Sequence, residues 1–275
     1  MGGSSTRWIT DTLCPLLGVV IANVMWASPL MLVLDARRTK NIGKINPIPF
    51  AVIVVNCIGW LIFSVVKVDY FIFFANCAGL VIGLYFCTTS LQLLSLGSDH
   101  HEDDIRTRKL IEYIILFGVS IWLGVSFGCF VLYNGKYRSL TQMIVGTLCD
   151  VTSILYFAAP MSTMKDVIVN KDASSLYVPT IFVNMLNGLM WFFYGLLGKP
   201  DINVWIPNGL GAILALLQLL LAFCYRKGSN NQFAPIMVED LADSLLENKL
   251  RTNMSPSSSP KRTRPGGRGG NNRIV

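Results

Sequence analysis

The sequence predicts an all-α membrane protein: seven transmembrane helices forming two parallel three-helix repeats joined by a linker helix, a 3+1+3 arrangement. Three observations carry this. The 275 residues have a mean hydropathy of +0.51, with 52% hydrophobic and 14% charged, too apolar and too charge-poor for a soluble domain of this length. Seven windows reach the roughly 20 mostly apolar residues that a spanning helix needs. The two halves of the chain also match each other at an offset of 131 residues.

The windows are 12–34, 47–66, 70–94, 110–133, 142–164, 176–197 and 203–225. They divide the chain into a non-cytosolic N-terminus (1–11), a first triple-helix repeat (12–94), a cytosolic loop with linker helix (95–133), a second repeat (134–227) and a tail (228–275). The start, MGGSST, fits an N-myristoylation pattern through Gly2 and Thr6. The expected topology counts against it, because basic residues sort by side. One set of loops holds Arg37, Arg38, Lys40, Lys44, Arg106, Arg108, Lys109, Lys165, Lys171, Arg226 and Lys227, while the other holds Arg7, Lys67, Lys136, Arg138 and Lys199. The positive-inside rule then puts the N-terminus outside and the C-terminus in the cytosol.

The net charge of +7 does not imply nucleic acid, since 7 of the 23 basic residues lie in the last 27 positions and most others sit in short loops. The seven cysteines fall in or beside apolar runs without a CxxC pair and read as small buried hydrophobes. The loop sequence HHEDD at 100–104 reads as solvated loop before it reads as a metal site. The Ser-, Pro-, Gly- and Arg-rich tail is expected to be disordered. Within it, PIMVEDLADSLLENKL spaces Met237, Leu241, Leu245 and Leu246 for a short surface helix, and Ser255 and Ser259 precede prolines as candidate phosphorylation sites.

Aligning Pro29 with Pro160 brings Asn56 onto Asn187 and Trp60 onto Trp191 without a gap; one inserted residue brings Asn76 onto Asn208. An odd linker helix keeps both units in one orientation, related by an axis along the membrane normal, so equivalent residues face one central pathway. Trp60 and Trp191 fall about six residues, or ~9 Å, from the outer ends of their helices, and Asn76 and Asn208 lie at a similar depth. The spacing of four stacks each Asn–Trp pair on one helix face. Taken singly, each asparagine reads as interhelical glue and each tryptophan as a belt residue. As symmetric pairs at one depth, they read as a box of neutral donors, acceptors and flat apolar faces that fits a sugar ring. Pro29 and Pro160 are expected to end helices one and five, and Pro49 and Pro179 to open helices two and six, giving a ring of hinges on the cytosolic side.

The motifs ASPL (27–30), AAPM (158–161), WFFYG (191–195) and IPNGLG (206–211) resemble the SWEET family of sugar facilitators over about residues 12–226. The resemblance implies passive transport of mono- or disaccharides by alternating access with no ion, ATP or other cofactor, and similar proteins suggest homo-oligomers. An enzyme is not expected, since the spans hold neither neighbouring titratable groups nor a nucleophile with a base, and the expected location is a membrane, the plasma membrane first. The resemblance also implies hydrogen bonds from Asn76 and Asn208, stacking on Trp191 with Trp60 as its counterpart, a proline tetrad of Pro29, Pro49, Pro160 and Pro179, and Tyr194, Gly195 and Pro207 near an outer gate. The sequence departs from the family where the first repeat often reads W-x-x-Y-G. Phe63 and Ser64 stand there, so a latch to Asp201 cannot form through a phenol. Pro179 is one position out of register with Pro49, and Asp150 puts a carboxyl into the fifth span without an assigned role.

Other classes fit less well. A receptor would not show the repeat, and helix seven lacks the mid-membrane lysine of a retinal protein. PQ-loop amino-acid exporters share the fold, but Leu30 and Met161 stand where they carry glutamine.

Overall fold

The computed structural model describes residues 7–43, 45–96, 102–132, 137–173 and 175–225. The N-terminal pattern, His100, His101 and the whole tail, with its candidate helix and Ser255 and Ser259, lie outside the described residues. Among those described, every regular element is a helix. Six helical segments are long and apolar enough to cross a membrane: Ile9–Thr39, Ile48–Lys67, Tyr70–Leu96, Glu102–Val131, Val178–Gly198 and Ile202–Cys224. The linker begins eight residues before its predicted window, with Glu102, Asp103 and Asp104 in its first turn, where carboxylates complement the helix N-terminus.

The fifth of the seven predicted windows, 142–164, is not among those six; it and the first span are each interrupted near a proline and continue beyond it rather than ending there, which corrects the sequence expectation. The first is built from a π turn, Ile9–Leu13, then α1 (Cys14–Ala27), then α2 (Leu30–Thr39). Pro29 caps α2, and its carbonyl accepts from Val33 N at 3.0 Å. The fifth consists of α6 (Arg138–Tyr156) and α7 (Ala158–Asn170), interrupted at Phe157. Pro160 is the third residue of α7, inside the first turn, where its missing N–H leaves no hydrogen bond unmade. A proline that starts a new turn reads in sequence like one that stops an old turn.

The remaining elements are α3 (Ile48–Lys67), α4 (Tyr70–Leu96), α5 (Glu102–Leu132), α8 (Val178–Phe193) and α9 (Ile202–Cys224). Pro49 and Pro179 are each the second residue of α3 and α8, as expected for helix openers. In the first unit α4 packs against both α1 and α3; in the second, α9 packs against α8 and against α6 and α7. Across the pseudo-two-fold, α1 meets α8 and α3 meets α6, so the first helix of each unit touches the second helix of the other. The linker α5 docks on α3 through reciprocal notches. A Cβ on Gly59 would meet Trp122 at 2.2 Å, and one on Gly118 would meet Val55 at 2.4 Å. Backbone approach of this kind is how helices associate where lipid removes the hydrophobic drive between them.

A second π turn, Tyr194–Gly198, explains the gap in the internal repeat. Phe63 and Tyr194 still correspond at an offset of 131, whereas Lys67 and Lys199 correspond at 132. The inserted residue falls between these positions and is absorbed by the wider turn.

Candidate functional site

All six residues of the predicted box line one cavity of about 210 Å³ between the units: Asn56, Trp60, Asn76, Asn187, Trp191 and Asn208. Both tryptophans belong to the buried cluster at the centre of the molecule. Trp60 is set edge-on to Phe63 at 5.4 Å and Trp191 edge-on to Tyr194 at 5.9 Å, so equivalent positions in the two units make equivalent ring pairs. Gly18 lets Trp191 approach α1, since a Cβ there would meet the indole at 2.9 Å.

The amides are also arranged in pairs. Asn76 Nδ2 donates to Ile72 O at 2.9 Å, and Asn208 Nδ2 to Val204 O at 2.8 Å, each bonding back one turn along its own helix. Pro207, inside α9, lines the cavity beside Asn208. Asn56 Oδ1 accepts from Thr152 Oγ1 at 3.2 Å and Ser153 Oγ at 3.5 Å. Its counterpart differs, because Asn187 Oδ1 is buried without a hydrogen-bond partner. An unmet buried acceptor is costly unless a ligand meets it, and the donor it calls for is a hydroxyl or amide hydrogen. Trp26, Ser153, Asn184 and Gln218 complete the polar lining. The sequence pattern does not single them out, because only symmetric pairs stood out against the apolar background.

Beyond the tryptophans the two units are tied together by a latch of two corresponding ion pairs. Lys67 Nζ lies 2.5 Å from Asp201 Oδ2, and Lys199 Nζ lies 3.3 Å from Asp69 Oδ2. Each aspartate uses its other oxygen as a helix cap: Asp69 Oδ1 accepts from Phe71 N and Ile72 N, and Asp201 Oδ1 accepts from Asn203 N. The same side chain thus ends one helix and ties down the other unit. The recurrence Lys-x-Asp at 67–69 and 199–201 was available in the sequence, but loop charges there serve topology. Val68, at φ 56°, turns the chain sharply enough to place Asp69.

The latch is asymmetric in its phenol. The Tyr194 hydroxyl donates to Asp69 Oδ2, whereas Phe63 at the matching position offers Asp201 no hydroxyl and packs beneath Lys67 with the ammonium 5.6 Å from its ring centre. Gly195 closes the packing here, its carbonyl accepting from Asp201 N at 2.8 Å, and a Cβ on it would meet Trp205 N at 2.8 Å. Tyr194, Gly195, Phe63 and Asp201 therefore gather around the ion pairs, while Pro207, named with Tyr194 and Gly195 in the sequence expectation, lines the cavity. The four prolines stand elsewhere: Pro29 and Pro160 at the bends of the first and fifth spans, Pro49 and Pro179 at the helix starts far from the latch.

Comparison with known proteins converges on one family. The family model described as "sugar efflux transporter for intercellular exchange" matches residues 13–91 and 143–230, the two three-helix units without the linker. The chain is 28% identical over 222 residues to the bidirectional sugar transporter SWEET5 of Arabidopsis thaliana, covering 80% of this chain and 88% of that one. It is 27% identical over 238 residues to the sugar transporter SWEET1 of Caenorhabditis elegans, covering 83% and 72%. The fold superposes on the 3.7 Å structure of a eukaryotic SWEET transporter with a TM-score of 0.68 at 23% identity, covering 80% of this chain and 98% of the other.

Proposed function

The chain belongs to the family of sugar efflux transporters for intercellular exchange, and from that premise we propose that it moves mono- or disaccharides passively across a membrane by alternating access. The supporting observation is the cavity: two asparagine pairs and a tryptophan pair from both units converge on about 210 Å³, with the unmet Asn187 acceptor among them. Hydroxyls around the sugar rim pair with the amides, and its C–H faces stack on the indoles. The volume is below the ~300–1,000 Å³ of drug-sized pockets and suits one ring at a time.

The positions of the latch and of the proline breaks support the following cycle. With the latch of Lys67, Asp201, Lys199, Asp69 and Tyr194 closed, the box communicates with the far side. Bending at the Pro29 and Pro160 breaks, with the Pro49 and Pro179 helix starts as the opposite bearings, rocks the units until the latch parts and the far side closes. Weak binding is required, because a tightly held sugar would not leave. The latch faces the non-cytosolic side, the N-terminus lies there with it, the membrane is the plasma membrane and the chains assemble as homo-oligomers. Substrates are of the glucose, fructose or sucrose class.

The test is uptake of labelled glucose, fructose and sucrose by proteoliposomes, with and without a proton gradient, for wild type, Asn208→Ala and Trp191→Ala. Saturable uptake that ignores the gradient and is lost in both variants is expected. Amino-acid uptake without sugar uptake would overturn the reading.

A further inference from the structure

The two units match closely in their backbones and in the asparagines and ion pairs already described, but not in all of their polar side chains. Four positions, two in the cavity lining and two toward the latch, are polar in the second unit and apolar at the equivalent place in the first. Asp150 corresponds to Val19, Asn184 to Ile53, Asn203 to Phe71 and Gln218 to Phe86, at the offsets of 131 and 132 set by the repeat.

Asn184 and Gln218 line the cavity at the end away from the latch. Their register is fixed by Gly188, whose Cβ would meet Asn208 O at 2.9 Å and Ala212 Cβ at 3.2 Å. Moving one turn from that contact along α8, and the matching distance along antiparallel α9, brings Asn184 and Gln218 within about a turn of each other. Neither side chain makes a hydrogen bond among the described residues. The first unit fills the equivalent space with packing: Phe86 is buried and lies 5.0 Å from Phe50.

Toward the latch, Asp150 Oδ2 accepts from Asn203 Nδ2 at 2.8 Å, while Asp150 Oδ1 is buried without a hydrogen-bond partner. Asp150 precedes cavity-lining Ser153 by three residues, which places it on the same face one turn nearer the latch. Asn203 is seated over Gly146, where a Cβ would meet its amide at 2.5 Å. A carboxylate with one oxygen unmet inside a membrane span is expensive to keep, and a carboxylate is a strong acceptor for sugar hydroxyls.

We propose that the second unit carries a polar track for the sugar, with a station at Asp150 and Asn203 on the latch side of the box and another at Asn184 and Gln218 beyond it, while the first unit is apolar at the four equivalent positions. The proposal rests on the sugar-carrier reading. A single ring in the central box does not need groups nearly three turns along α9 from Asn208. A ring entering or leaving the box does, because between the box and bulk water its hydroxyls would otherwise be stripped of partners. Each station lowers the barrier at its end without adding to central binding.

The test uses the full chain in proteoliposomes. Glucose flux is compared with central-box binding, read as glucose quenching of tryptophan fluorescence, for Asn184→Leu/Gln218→Leu and for Asp150→Leu. Flux is expected to fall about tenfold, the effect of losing hydrogen bonds of ordinary strength in the rate-limiting passage, with binding changed less than about threefold. Asn184→Gln/Gln218→Asn and Asp150→Asn, which keep acceptors in place, should recover most of the flux. They also serve where a leucine variant fails to fold. Unchanged flux in the leucine variants, or binding lost in step with flux, would overturn the track. A wild type that moves no sugar would instead remove the carrier reading itself.

Discussion

Lys67 Nζ meets Asp201 Oδ2 at 2.5 Å, joining the end of α3 in one unit to the cap of α9 in the other. Its equivalent, Lys199 with Asp69, is longer at 3.3 Å but is reinforced by the Tyr194 hydroxyl. Closure is therefore shared by two unlike halves, which predicts unlike sensitivities.

Asp69 holds a lysine, a phenol and two backbone N–H groups, and is 5% exposed. Asp69→Ala should cost about 2–4 kcal/mol, since it leaves the phenol and the helix N-terminus unsatisfied together. Lys67→Met should cost under about 1 kcal/mol, because its pair is partly solvated. Thermal unfolding in detergent would rank them.

Phe63→Tyr restores the phenol missing from the first unit, directed at Asp201. The latch should tighten by about 1 kcal/mol. Cysteine labelling from the latch side should slow about fivefold, with sugar flux falling in parallel if latch opening limits the rate. Labelling at the wild-type rate would show that Phe63 cannot deliver a hydroxyl there.

Asn187→Leu removes an unmet buried acceptor. Stability should hold or rise by about 1 kcal/mol while sugar flux is lost, a separation of fold from function that melting and uptake measured on one preparation would reveal. Loss of both would make Asn187 a structural residue.

Gly59→Ala drives a methyl into Trp122, and Gly118→Ala drives one into Val55. Each should cost about 1–3 kcal/mol by displacing the linker from α3. Gly124→Ala, with open space around its Cβ position, should be neutral on the same melting assay.

Hydropathy windows and the repeat made the helix order and the asparagine–tryptophan box legible before any coordinates, since Pro, Asn and Trp do not recur by chance at matched depths in apolar helices. The bends at Ser28–Pro29 and at Phe157 were not legible, because proline is compatible with a first turn as well as a stop. Lys67, Asp69 and Lys199 were hidden for a different reason. Charges at a membrane boundary sort by side, and nothing local says that a lysine will reach the other unit. Asp150 was visible as an anomaly, but its pairing with Asn203 required two helices separated by 53 positions to meet.

The exposure of the latch has a further consequence. The Lys199 side chain is 57% accessible and that of Lys67 28%, so both ion pairs stand within reach of dissolved ions rather than sealed from them. At ~0.15 M salt the screening length is already ~8 Å and shortens as salt rises. Concentrated electrolyte should therefore loosen both pairs, a wedge that acts on the proposed latch and leaves the cavity itself untouched.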